Sequence, residues 1–288
     1  MIDLDLNAFA EWISIPPDEL VDRSPIPLTI LPTAEDVHRH FAQSMYAEIL
    51  QAFEAERPIS IIIPLGPKNQ FPMLADMVNQ GGVALDHVTF FGMDEWLDWQ
   101  GRPLPWEHPN RLEAYFYRHF LELVDAELRP PAENVIFPSP YALDRSAEEL
   151  ARRGRVSTTY AGFGFQGHVA FNESPSSRWT PVTLEQLRES STRVVSIRVD
   201  SIIAHAERSL GGNVFAIPPM AVTLGMRELL SAERVRLYSV TGAWKQTILR
   251  ILLFARATVD YPVTLVSEHP DVAVIVDRAT AACPPTQW

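Results

Sequence analysis

Two stretches of this chain are apolar at nearly every position rather than at every second one: Arg57-Pro-Ile-Ser-Ile-Ile-Ile63 and Val88-Thr-Phe-Phe91. A strand with one wet face alternates, whereas a strand buried on both faces does not. Val272-Ala-Val-Ile-Val276 has the same character, and 157–161, 194–199, 235–240 and 263–266 also read as β-favouring. Helical patterns lie between them. Thr33, with Asp36 three residues on, can cap a helix from 34 to about 54. Further helices are expected over 71–79, 108–128, 143–153, 220–230 and 244–255. Strands alternating with helices in this way predict the α/β class: a Rossmann-like, open, largely parallel sheet with helices on both faces. The chain has 288 residues, 47% of them hydrophobic, enough for a large core. It reads as one α/β domain over 1–288, with the proline-rich residues 1–33 as an N-terminal arm. It shows no internal repeat, low-complexity segment or linker.

The chemistry concentrates after the 157–161 strand, in Gly162-Phe-Gly-Phe-Gln-Gly-His-Val-Ala-Phe-Asn-Glu173. Glycines at i, i+2 and i+5 make a tight turn and admit close approach of another backbone or a ligand. The turn delivers His168 and, five residues later, Glu173. An imidazole and a carboxylate on one turn suit proton transfer at neutral pH. The glycine spacing superficially matches a dinucleotide fingerprint. That fingerprint opens a helix and needs an acidic residue about 20 residues on. Here Pro175 blocks an early long helix.

A second acidic signal sits where 88–91 runs into Gly92-Met-Asp-Glu-Trp96. Open α/β sheets place their chemistry at the carboxyl ends of buried strands. Adjacent residues on extended backbone face opposite ways. Asp94 and Glu95 therefore have different tasks: one enters the cleft and the other braces the loop.

Together these residues resemble the glucosamine-6-phosphate isomerase (deaminase) family. Asp94-Glu95 after a hydrophobic strand and Gly164-x-x-Gly-His-x-Ala-Phe-Asn-Glu173 carry the likeness. Pro218-Pro-Met-Ala-Val-Thr-Leu-Gly225 and Thr241-Gly-Ala-Trp-Lys245 extend it, and ordered matches span roughly 57–278. The related 6-phosphogluconolactonases share the Gly-His turn but lack its Phe-Asn-Glu ending. The resemblance implies aldose–ketose isomerisation with loss of ammonia, from glucosamine 6-phosphate to fructose 6-phosphate. It implies that Asp94 moves a proton between C2 and C1, that His168 opens the ring with support from Glu173, and that Lys245 holds the phosphate. It adds Gln166 to the catalytic group, and Gly66, Lys68, Asn69, Glu95, Gly167 and Arg208 to the substrate-binding group. It also implies a homo-oligomer and no cofactor.

The chain departs from the family pattern in three places. Gln166 stands where Asp or Asn is usual; it can hydrogen-bond but carries no charge to raise the His168 pKa. Glu173 is then expected to supply the support for a protonated His168. The phosphate turn reads Pro64-Leu-Gly-Pro-Lys-Asn-Gln70, and Pro67 has no N–H to donate. Lys68 and Asn69 are expected to substitute with side-chain donors. The family's arginine after the motif has no clean match: Glu207 falls at the ungapped position and Arg208 one residue on.

A net charge of −12 argues against nucleic-acid binding but not against an anionic substrate, because local cations set the field in a cleft. The single Cys283 rules out an intramolecular disulfide framework. His38 and His40 point to different helix faces, and neither His87, His108, His119 nor His205 has a ligand-spaced partner, so no metal is expected. No apolar run reaches membrane-spanning length and the N-terminus lacks a signal-peptide pattern, which together predict a cytoplasmic protein with no membrane partner. Two other functions fit the pattern less fully. One is a lactonase-type hydrolase, with no evident use for Asp94. The other is a non-catalytic sugar-phosphate sensor, which would normally carry a DNA-binding module.

Overall fold

A computed structural model of the chain describes residues 6–175 and 180–285. The chain opens with α1 (Leu6–Ser14), α2 (Pro17–Arg23) and β1 (Leu28–Leu31). Next come α3 (Ala34–Glu54), β2 (Ile59–Ile63), α4 (Gln70–Gly81), β3 (Val88–Gly92) and β4 (Asp94–Leu97). They are followed by α5 (Leu112–Phe116), β5 (Val135–Ile136), α6 (Arg145–Arg153) and β6 (Val156–Ala161). Beyond the glycine turn lie α7 (Leu184–Arg188), β7 (Arg193–Ser196), α8 (Val199–Leu210), β8 (Met220–Thr223), α9 (Met226–Leu229) and β9 (Arg234–Ser239). The last elements are α10 (Gln246–Phe254), α11 (Val263–Val266), β10 (Val272–Asp277) and α12 (Arg278–Ala281).

Seven strands form one sheet in the order β1-β10-β9-β6-β2-β3-β5, and every pairing is parallel. The fold is the α/β architecture expected from the apolar strands. Their continuous apolarity has a direct structural use. Ile59, Ile61, Ile63 and Phe90 pack with α3 and α4 on one face, while Ile62 and Phe91 pack with α10 on the other. In register, Ile63 pairs with Gly92, and Ala161 with Leu237. The segments after β2, β3, β6 and β9 therefore emerge along one edge of the sheet, and the candidate site is built there. β1, from the proline-rich start, pairs with β10 at the sheet's other margin. Among the described residues no helix is long and apolar enough to cross a membrane.

A second, three-stranded antiparallel sheet, β4-β8-β7, sits on that edge. The Met93 N–H donates to Ile63 O at 3.1 Å, and Leu224 N–H to Met93 O at 2.8 Å, tying the small sheet to the large one. This sheet corrects two sequence readings. Asp94 and Glu95 begin a strand rather than a loop. The 220–230 stretch is not one helix, because Met220–Thr223 pairs with both β4 and β7, and only Met226–Leu229 is helical. Two further readings change. Val263–Val266 is a helical turn, its Thr264 hydroxyl donating to Tyr261 O at 2.6 Å. The long helix expected over 108–128 starts only at Leu112 and widens into a π turn at Tyr117–Leu121. Its late start has a cause: 105–111 runs in turns, and the first free helical N–H groups meet a remote carboxylate described below. α8 was not legible as a helix at all.

Candidate active site

The glycine turn leaves β6 at Ala161. A Cβ on Gly162 would lie 2.5 Å from Gly66 O and 3.0 Å from Pro67 Cδ, so this glycine lets the 66–69 turn close against the motif. Gly164 has a spatial reason of its own. A Cβ there would stand 1.9 Å from His168 Nε2, so the imidazole lies against the bare α-carbon. The Gly164 N–H donates to His168 O at 2.7 Å and Gly167 N–H to Gly164 O at 3.0 Å. Gly167 has φ +71°, a conformation that favours glycine, and its carbonyl accepts from Val263 N–H at 2.6 Å. The rest of the motif docks on β8. Phe171 N–H donates to Thr223 Oγ1 at 3.1 Å, and buried Asn172 donates through Nδ2 to Leu224 O at 2.8 Å and Val169 O at 3.0 Å. Thr223 is also the register partner of Asp94. The second sheet thus sets the glycine turn and the acid pair against each other.

Asp94 and Glu95 divide as extended backbone requires. Glu95, 1% exposed, accepts N–H groups from Trp96 at 2.9 Å, Leu112 at 2.8 Å and Glu113 at 2.9 Å, and its Oε2 lies 3.2 Å from Arg111 Nε. It caps α5 and braces the loop. Burial pushes it up to about 7, with those donors and Arg111 pulling back down. Asp94 is buried too, and among the described residues nothing hydrogen-bonds its carboxylate. Burial, and then the charge of Glu95, push it up to about 8. A carboxylate held near neutral pH and left uncommitted is suited to take a proton from carbon.

His168 Nδ1 lies 3.6 Å from Glu173 Oε1, and neither atom has a hydrogen-bond partner among the described residues. The other oxygen of Glu173, Oε2, accepts Arg198 N–H at 2.7 Å, just ahead of α8. Burial raises the Glu173 pKa. The expectation of a protonated His168 is corrected by its surroundings. Burial first, then the nearby charges of Lys245 and His205, hold it down to about 3, so the imidazole is neutral. Gln166 is half-buried and makes no hydrogen bond among the described residues.

Lys245 ends the 3₁₀ turn Gly242–Lys245 after β9 and is 6% exposed. Its ammonium donates to Phe163 O, one residue from the Gly162–Gly66 contact. Burial, then Arg208, push it down to about 7. Its Nζ lies 5.3 Å from the centre of the Trp244 ring, and Arg208 Cζ lies 4.9 Å from the same ring. Two cations therefore share one indole with no carboxylate paired to either among the described residues. That electrostatic arrangement suits an anion.

The structure thus brings together His168, Glu173, Gly167, Lys245, Arg208 and Gly66. It turns Lys68 and Asn69 to other partners. Lys68 Nζ lies 4.3 Å over the Tyr115 ring, and Asn69 Nδ2 lies 3.4 Å from His38 Nε2. It also adds His205, from α8, whose partners at 168 and 245 are too distant in sequence for spacing to reveal.

Comparison with known proteins places this geometry. No protein-family model matches the chain. A glucosamine-6-phosphate deaminase of Serratia proteamaculans (strain 568) is 31% identical over 250 residues, covering 83% of this chain and 84% of the relative. The chain belongs to the glucosamine-6-phosphate deaminase family. It is an enzyme of this kind. A solved structure described as a monomeric glucosamine-6-phosphate deaminase superposes with a TM-score of 0.73 at 21% identity, covering 89% of this chain and 99% of that one. A 6-phosphogluconolactonase from Shewanella baltica OS155 superposes at 0.59 with 16% identity, covering 88% and 97%. At these identities the two structures speak for the fold alone, and the family's likeness to lactonases is a likeness of scaffold.

Proposed function

We propose that the protein converts glucosamine 6-phosphate and water to fructose 6-phosphate and ammonia. The observation that carries this reading is the presence of two separate proton-transfer groups. His168 with Glu173 sits on the glycine turn, while Asp94 sits on β4, uncommitted and raised to about 8. A lactone hydrolysis needs only one such group. Ring opening followed by isomerisation needs two, one for oxygen and one for carbon.

In the first step neutral His168 takes the proton of the C1 hydroxyl and returns one to the ring oxygen, giving the open-chain aldehyde. Glu173 stabilises the transient imidazolium from 3.6 Å. Ionised Asp94 then removes the C2 proton; the C–H pair forms the C1=C2 bond while the carbonyl pair moves to O1, which takes a proton from the substrate's ammonium, giving the enolamine. The same carboxyl returns the proton to C1, leaving an iminium at C2. Water adds at C2 and ammonia leaves, which yields the ketose. Lys245 and Arg208 hold the 6-phosphate, and Gly167, packed against Val263 and Ile248, fixes the turn that carries His168. Oriented general acid–base groups of this kind contribute roughly 10²–10⁴-fold each.

The test is a direct assay with glucosamine 6-phosphate, following ammonia and ketose phosphate separately, beside an assay with 6-phosphogluconolactone. Equal release of ammonia and ketose phosphate supports the reading. Hydrolysis of the lactone with no ammonia from the amino sugar overturns it.

A further inference from the structure

The 66–69 turn is a poor phosphate cradle. Pro67 offers no N–H, Gln70 Nε2 is spent on Pro67 O at 3.0 Å, and Lys68 and Asn69 are engaged at Tyr115 and His38. The anion site must be completed from another direction. α8 lies there. Ser201, His205 and Arg208 fall at i, i+4 and i+7, which is one face of a helix. Arg208 on that face reaches the Trp244 ring beside Lys245. The His205 ring stands edge-on to Trp96 with centroids 6.1 Å apart. It is close enough to Lys245 and Arg208 that both oppose its protonation, and close enough to His168 to oppose protonation there. Neither ring nitrogen of His205 makes a hydrogen bond among the described residues.

We propose that His205 is a phosphate-binding residue, its neutral imidazole N–H donating to the substrate phosphate beside Lys245 and Arg208. α8 then supplies a side-chain donor where Pro67 withholds a backbone one. The ring is suited to this task. Half-buried beside Arg208 and the Lys245 ammonium it stays uncharged, so it adds a directed donor without adding repulsion. Trp96 sets the plane of the ring, and Trp96 belongs to β4, the strand of Asp94. Phosphate recognition and the carbon base are thereby built on one strand.

This inference rests on the sugar-phosphate reading above, and the experiment separates the two. A hexitol 6-phosphate, which can neither cyclise nor isomerise, is titrated calorimetrically into the wild-type chain and into His205→Ala, His205→Met and His205→Gln. Expected is a loss of roughly tenfold or more in affinity for His205→Ala and His205→Met, the range for a hydrogen bond to a charged group. His205→Gln keeps a neutral donor and should recover most of it. Ile203→Ala, on the outward side of α8 at 53% exposure, should bind as wild type and so controls for a loosened helix. Wild-type affinity in His205→Met overturns the inference, because volume alone would then suffice. So does equal weakness in the Met and Gln variants. No binding to the wild-type chain overturns the sugar-phosphate reading itself.

Discussion

Lys245 offers a quantitative test of the anion site. Its ammonium is held at about 7 against an ordinary 10.5, by burial and by Arg208. At ~1.36 kcal/mol per pKa unit, that is a free energy of ~5 kcal/mol set against the charged form in the free protein. A bound phosphate dianion supplies the missing counter-charge, so the Lys245 pKa rises on binding. The sign of the pH dependence follows. Below about pH 7 the free site is already charged and affinity is at its plateau. Above it, binding must take up a proton, and affinity falls until the pH reaches the raised pKa of the complex. With that upper value above about 10, the dissociation constant grows roughly 50-fold between pH 7 and pH 9. The ligand does not confuse the result, because a phosphate monoester has its second pKa near ~6 and is already dianionic across this range. Nor do the neighbouring imidazoles, since His168 at about 3 and His205 at about 4 are neutral throughout. The assay is calorimetric titration with a hexitol 6-phosphate at several pH values. Affinity that stays flat from pH 7 to pH 9 would refute the argument, as would a slope that survives in Lys245→Met.

Asp94→Asn should lower turnover roughly 10²–10⁴-fold while leaving KM within a few-fold, the pattern of a lost general base; wild-type turnover would remove Asp94 from the chemistry. Because Asp94 must be ionised and sits at about 8 while Lys245 must be charged and sits at about 7, kcat/KM should peak narrowly between those values. The acid limb of that profile should vanish in Asp94→Asn. Gly164→Ala places a methyl 1.9 Å from His168 Nε2 and should displace the ring, cutting turnover at least tenfold and costing about 1–3 kcal/mol in stability, read by denaturant unfolding. Glu95→Gln removes one acceptor oxygen from three backbone N–H groups and Arg111, so about 1–3 kcal/mol of stability should be lost, the range for leaving a buried donor unsatisfied. A thermal scan unchanged from wild type would count against that bracing role.

The large sheet was legible because burial on both faces leaves a signature in the residues themselves: Ile61, Ile62 and Ile63 can all be apolar only where helices lie on either side. The split between Asp94 and Glu95 was legible for a related reason, since extended backbone sends neighbours to opposite sides. The small sheet was not. Asp94 and Glu95 look like loop acids until β8 is beside them, and Met220–Thr223 looks helical until it pairs on both margins. The contacts of Lys68 with Tyr115 and of Asn69 with His38 were not legible, because a side chain's neighbours decide where it goes. His205 was invisible to spacing, because its partners come from a turn near 168 and a helix start near 245.

Glu173 has a mechanical consequence. One of its oxygens holds the backbone ahead of α8 and the other faces His168. The carboxylate is thus a coupling rod between a helix and a base. If α8 swings outward to admit a sugar, the rod must turn or release, and the imidazole loses the carboxylate oxygen that faces its Nδ1 at that instant. On that reading the histidine would be fully set only when the helix is home, and closure would gate proton transfer with no dedicated switch. Shortening the rod by one methylene in Glu173→Asp should uncouple the two, speeding amide exchange in α8 while slowing ring opening. Unchanged exchange alongside slowed ring opening would show that the carboxylate serves the histidine alone.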